Sequence, residues 1–181
     1  MTAALTAAKR ALMARLATEV GTTAQVSIVR PLKADLVTQE SGTMVWACLV
    51  PESDTSGEIA VFGGGAPFRW DEDTTFRVLI QAACLVPVEA ENALAAADAS
   101  LAEADDLADA VLAALLKVVA NDPSLGVDTG AEGVPGPRSV DVVPTRVIRQ
   151  GGRIGDNGDL CGVSMVVEMT VQAQTYSEES T

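Results

Sequence analysis

The sequence predicts an α+β fold: a single domain with a mainly antiparallel or mixed β-sheet packed against an N-terminal helix and a central helix. Apolar residues recur at helical spacing in two stretches, while β alternation fills the segments between and after them. The 181 residues suit one core, and 48% of them are hydrophobic against 20% charged. There is no internal repeat and no second core, so residues 1–181 read as one unit.

In the opening "MTAALTAAKRALMARLATEV", Leu5, Leu12, Leu16 and Val20 share one side of a helix. Lys9, Arg10 and Arg15 interrupt any signal-peptide core there, and cytoplasm is the expected default. Gly21 and two threonines end the pattern. "QVSIVRPL" and "TMVWACLV" follow as strands separated by "KADLVTQESG". The second is apolar at nearly every position, as in an interior strand covered on both faces. "GEIAVF" is a third strand. In "TTFRVLIQAACLV" the alternation puts Phe76, Val78, Ile80, Ala82, Cys84 and Val86 on one face and Arg77 and Gln81 on the other, and Pro87 stops it.

The alanine-rich segment 88–99 is either helical or a mobile connection. Ser100 and Glu103 fit a capping box, which predicts the start of the central helix. Its buried stripe is Leu101, Ala104, Ala108, Val111, Leu112, Leu115 and Val119, and "NDP" at 121–123 ends it. Residues 121–139 form a Gly/Pro-rich loop. Two strands then flank "GGRIGDNGD", where Asn157-Gly158 signals a hairpin. Val163, Met165, Val167, Met169, Val171 and Ala173 are predicted to face inward from the last strand. Pro144 marks its partner as an edge or bulged strand. Residues 177–181 are expected to be a flexible tail.

Several motifs bear on chemistry. Gly63–Gly65 invite comparison with a phosphate loop, but no Gly-Lys pair exists, Phe68 replaces the third glycine of G-x-G-x-x-G, and a strand follows instead of a helix. These glycines are expected to turn the chain. "DEDTTF" could hold a hard cation or supply an acid/base pair, but a solvated strand edge is the simpler expectation. "GDNGDL" lacks calcium-loop spacing, and no G-x-S-x-G occurs. Histidine is absent, which removes histidine-based triads and imidazole zinc sites. Cys48, Cys84 and Cys161 are widely spaced in apolar stretches, as buried free thiols are.

No catalytic, cofactor-binding or metal residue is therefore expected. A formal charge of −13 repels phosphate backbones, so no sequence-specific nucleic acid partner is expected, and no apolar run is long enough for a membrane helix. Glu103, Asp105, Asp106 and Asp109 give the central helix an acidic face that is expected to be solvated. Against that background Arg138, Arg146, Arg149 and Arg153 concentrate in one region. They are either a patch for an acidic neighbour or a solvated edge strand. Arg69 and Trp70, at a loop tip, are either an interface anchor or packed on their own domain.

The layout resembles the tail terminator (tail-completion or minor tail) proteins of long-tailed phages. The likeness rests on "AALTAAKRALMARLA", "TTFRVLIQAACLV", "EADDLADAVLAALLKVVANDPSLG" and the final valine-rich hairpin. It spans most of the chain, without a diagnostic short motif. The resemblance implies a non-enzymatic structural subunit of the virion. It would form a ring, usually a hexamer, that caps the tail tube, ends tail polymerisation and joins tail to head. The implied partners are further copies of itself, the major tail tube protein and a head-completion or connector protein. The implied location is the head-proximal tail end, with the host cytoplasm during assembly. Another head–tail connector or tail-tube component is the near alternative, and a small cytoplasmic ligand-binding or regulatory module is the alternative from another class. Loops 33–42, 63–73 and 121–139 would then be assembly loops, ligand lids or free tips.

Overall fold

The structure, a computed structural model, describes residues 3–30, 42–50, 55–62, 69–87, 92–127, 137–154 and 160–176. They fold as one α+β body whose elements run α1 (Ala3–Val20), β1 (Gln25–Ser27), β2 (Thr43–Leu49), β3 (Thr55–Phe62), β4 (Arg69–Leu85), α2 (Ala93–Asn121), β5 (Pro137–Ile154) and β6 (Leu160–Tyr176).

All six strands join one mixed sheet in the order β1-β2-β4-β6-β5, with β3 also paired to β4. Only the β1–β2 pair is parallel. β4 pairs with β6 along its whole 17-residue length, roughly 55 Å at the usual rise per strand residue. Its other edge is shared end to end, by β3 over residues 69–75 and by β2 over 78–84. Val50 N–H donates to the Arg77 carbonyl at 3.0 Å where the one ladder hands over to the other.

Both helices cover the same face of the sheet. Alternation on β4 and β6 buries Phe76, Val78, Ile80, Met165, Val167 and Met169 completely on that face. Leu5, Leu12 and Leu16 of α1 and Val111 and Leu115 of α2 close the core over them. Arg15 reaches Asp122 at 2.7 Å and Lys117 reaches Glu19 at 2.5 Å, tying the two helices at the surface. α2 runs antiparallel to β5. Its early residue Ser100 donates to the Leu85 carbonyl at 3.1 Å, and just past its end the Pro123 carbonyl accepts from Val142 N–H at 2.9 Å.

Four expectations change. The helix begins at Ala93, not Ser100: Asn92 is the cap, its Oδ1 accepting from Ala95 N–H at 3.1 Å. Ser100 is a buried mid-helix residue whose hydroxyl satisfies a strand-end carbonyl, so the capping-box pattern marks no terminus. "QVSIVRPL" supplies only a three-residue strand. The acidic run Asp71–Asp73 lies within β4, Asp71 and Glu72 paired on both sides and Asp73 with β6, so it is strand and not loop. The expected 121–139 loop is shorter at both ends. Asp122–Val127 form a tight turn in which Leu125 (φ 52°) is buried, and β5 has begun by Pro137.

Gly63–Gly65 and Asn157-Gly158 lie outside the described residues, as do most of residues 33–42 and the 177–181 tail. The strands that flank each glycine pair or triplet are nevertheless antiparallel neighbours, with Phe62 opposite Arg69 and Ile154 opposite Leu160. The flanking strands thus run in opposite directions at both places, and the first described element after Gly65 is strand β4.

Candidate assembly interface

β5 is the exposed margin of the sheet, and its geometry is set by one extra residue. Val140 and Val142 lie opposite Ala173 and Val171, and Pro144 lies opposite Met169, so even-numbered positions face the helices. Pro144 pairs with Met169 and Arg146 with the adjacent Glu168, which leaves Thr145 unmatched. Proline has no N–H for the ladder, and a bulge beside it is the expected accommodation on an edge strand. Thr145 instead donates its hydroxyl to the Glu168 carbonyl at 3.2 Å.

Beyond this bulge the parity inverts. Val147, Arg149 and Gly151 pair with Val167, Met165 and Val163 and so face the helices. Arg149 consequently meets α2, forming ion pairs with Asp105 and, at 3.3 Å, with Asp109. Partial burial works against its charge, but these two carboxylates hold its pKa above the ordinary arginine value. Gly151 sits beside α2: a Cβ there would meet Val163 Cγ2 at 3.5 Å and Leu101 Cδ1 at 3.6 Å, both ordinary contacts.

Arg146, also past the bulge but of the opposite parity, faces away from the helices. It is exposed and lies opposite Glu168, which is already held by Arg77 at 2.8 Å on the central strand. Among the described residues Arg146 has no ion pair. Val143 and Ile148 on its side of the strand are 40% and 36% exposed, and Val147 at the helix-side rim of the same margin is 45% exposed, an apolar content unusual for a strand edge.

The sequence-level interface candidates therefore separate. Arg149 is bound to its own helix, so half of the acidic face (Asp105 and Asp109) serves the subunit itself. Glu103 and Asp106 remain exposed. Arg138 and Arg153 fall near the two ends of β5, on residues whose side chains are not described. Arg69 and Trp70 are not at a loop tip: they open β4, paired with Phe62 and Val61 on one side and Tyr176 and Thr175 on the other. Among the candidates whose side chains are described, Arg146 combines exposure with a free charge. The missing signal was the bulge. A proline inside a strand predicted an irregularity, but not which side each arginine would take after it.

Two surface clefts among the described residues are shallow. One of about 310 Å³ lies between the helices by Glu19, Thr23, Ala114 and Lys117; the other, of about 400 Å³, lies beside Asp98, Asp105 and Gly151. Among the described residues no three His, Cys, Asp or Glu side chains gather as a metal site, and no helix is long and apolar enough to cross a membrane.

No family model matches the chain, and no curated protein matches it.

Proposed function

We propose that this chain is a structural subunit that assembles head to tail into a ring, in the manner of the phage tail terminators its layout resembles. In that role it would cap a tail tube and join it to the head. The observation that carries this is the β5 margin: Arg146 stands exposed and unpaired among Val143, Val147 and Ile148 on a chain of net charge −13. A ring contact needs two different complementary patches on one subunit. The β5 margin supplies a basic, apolar one, and the exposed Glu103 and Asp106 of α2 supply an acidic one. The partners are neighbouring copies, the tail tube protein and a head-side connector; no enzyme activity is assigned.

Light scattering and negative-stain microscopy, across concentration and in the presence of tail tubes, test the proposal. A closed ring near six subunits is expected, and Arg146→Glu should open it while leaving the unfolding curve of the subunit unchanged. Persistent monomers under every condition, tubes included, would overturn it.

A further inference from the structure

One row crosses the helix-free face of the sheet with an unusual content. Gln25 on β1 pairs with Trp46 on β2, Trp46 with Gln81 on β4, Gln81 with Ser164 on β6, and Ser164 with Gln150 on β5. Gln81 Nε2 donates to Ser164 Oγ at 3.3 Å, which engages the nitrogen of the amide and leaves its carbonyl oxygen for another partner. Three atoms of this row, Gln25 Oε1, Trp46 Nε1 and Gln81 Oε1, are shut off from the surface and make no hydrogen bond within the chain. Trp46 as a whole is 9% exposed. They belong to adjacent strands at one level of the sheet, so they are one local deficit and not three scattered ones.

Buried polar groups left unpaired forfeit their hydration with nothing in return, so a row of three is retained only where something satisfies it. The deficit is one N–H donor and two carbonyl acceptors. A cation would suit the oxygens but not the indole N–H, an anion would suit only the N–H, and an apolar guest would suit neither. A partner protein cannot reach atoms that the subunit itself has closed off. A water molecule has two O–H donors and an acceptor oxygen, which matches the deficit group for group.

We propose that Gln25, Trp46 and Gln81 form an internal hydration site. Its water accepts from Trp46 Nε1–H and donates to Gln81 Oε1 and Gln25 Oε1. The bridge has a structural consequence. β1 is joined to β2 by only three register pairs; through the water its Gln25 is also tied to β4, one strand further in.

Water-selective ROESY on ¹⁵N-labelled protein tests this directly in the intact chain, with Trp70→Phe assigning the indole signals of its two tryptophans. A dipolar cross-peak of a long-lived water to Trp46 Hε1, opposite in sign to chemical exchange, is expected. Water ¹⁷O relaxation dispersion should then count at least one fewer long-lived water in Gln81→Leu, and a lower melting temperature for that variant. Absence of the cross-peak would overturn the site. So would an unchanged water count, or a Gln81→Leu variant more stable than the parent, which is the mark of a dry row or of a direct indole–amide bond.

Discussion

Phe76 and Arg77 are successive residues of the same central strand, yet they occupy different environments. Phe76 is completely buried beneath the helices, with the Lys9 ammonium 5.7 Å from its ring centre. Arg77 stands on the opposite face, its side chain 45% exposed, and pairs with Glu168. The contrast repeats along β4 and β6: Val78, Ile80, Met165 and Val167 are fully buried, whereas Leu79, Gln81, Ser164 and Val166 alternate with them and keep partial exposure. Around Arg77 dispersion and the hydrophobic effect act on one face and hydrogen bonds and ion pairs in high dielectric on the other, whereas toward β2 the second face is buried too, at Trp46 and Cys48. The difference teaches where stability and assembly separate. The helix face holds the subunit together, and the other face and its β5 margin are free to vary in what they meet.

Breaking the covered face should have the largest effect. Phe76→Ala removes a fully buried ring from a site closed by both helices and should cost about 3–5 kcal/mol in a denaturant titration. Arg77→Ala, one residue away, removes a partly exposed ion pair and should cost under about 1 kcal/mol. Equal losses would mean that the uncovered face is also packed, and the separation of roles would fail.

The thiols sharpen the same comparison through pH. Cys84 lies on the helix face, opposite Cys161, and burial first, then the charge of Glu103 and then Cys161, push its pKa up to about 11. Cys48 sits on the other face, opposite Leu79, where burial also raises its pKa, partly offset by Arg30. A thiol whose pKa is raised on folding ionises first in the unfolded chain. Its contribution is therefore intact below the unfolded value near 9 and is lost as pH climbs toward 11. Stability measured from pH 8 to 11 should fall, and Cys84→Ala should flatten the slope. An unchanged slope would show that Cys84 does not carry the alkaline loss.

Much of this arrangement was legible in the sequence, and the parts that were not have specific causes. The order of one helix, four strands, a second helix and two strands followed from periodicity, because burial on one face imposes a period of two on strands and 3.6 on helices. The inward residues of β6 were read correctly for that reason. The start of α2 was misplaced because the first eight residues of the helix, from Ala93, carry no complete apolar stripe. Ser100 and Glu103 also imitate a cap that Asn92 actually provides. The arginine cluster was visible as composition, but its division into Arg149, facing α2, and Arg146, facing outward, depends on the unmatched Thr145. A bulge is a pairing property, and one strand's sequence holds only half of it. The amide row was invisible for the same reason: Gln25, Trp46, Gln81, Ser164 and Gln150 come together only through register.

Ser100 tests the junction of helix and sheet at a smaller scale. Its hydroxyl satisfies the Leu85 carbonyl, a bond worth about 1 kcal/mol. Alanine is the better helix former by up to roughly half of that. Ser100→Ala should therefore lower stability by only about 0.5–1 kcal/mol, seen as a small shift in the denaturation midpoint at constant slope. A larger loss would mean that the hydroxyl also positions the start of α2 on the sheet.

The smallest expected effect separates the two arginines of β5. Arg149 is 40% exposed and Asp109 is 52% exposed at 3.3 Å, so solvent and salt screen their attraction. A double-mutant cycle of Arg149→Ala with Asp109→Ala should give a coupling of at most about 0.5 kcal/mol at low salt, fading at high salt. Neither variant should alter the mass of the assembled particle, because this pair lies within one subunit. Arg146→Glu should do the reverse, leaving unfolding unchanged and reducing the assembled mass. If Arg149→Ala also dissolved the assembly, α2 and β5 would have to meet the neighbouring copy as one surface. The bulge at Thr145 would then orient an interface and not only an internal clasp.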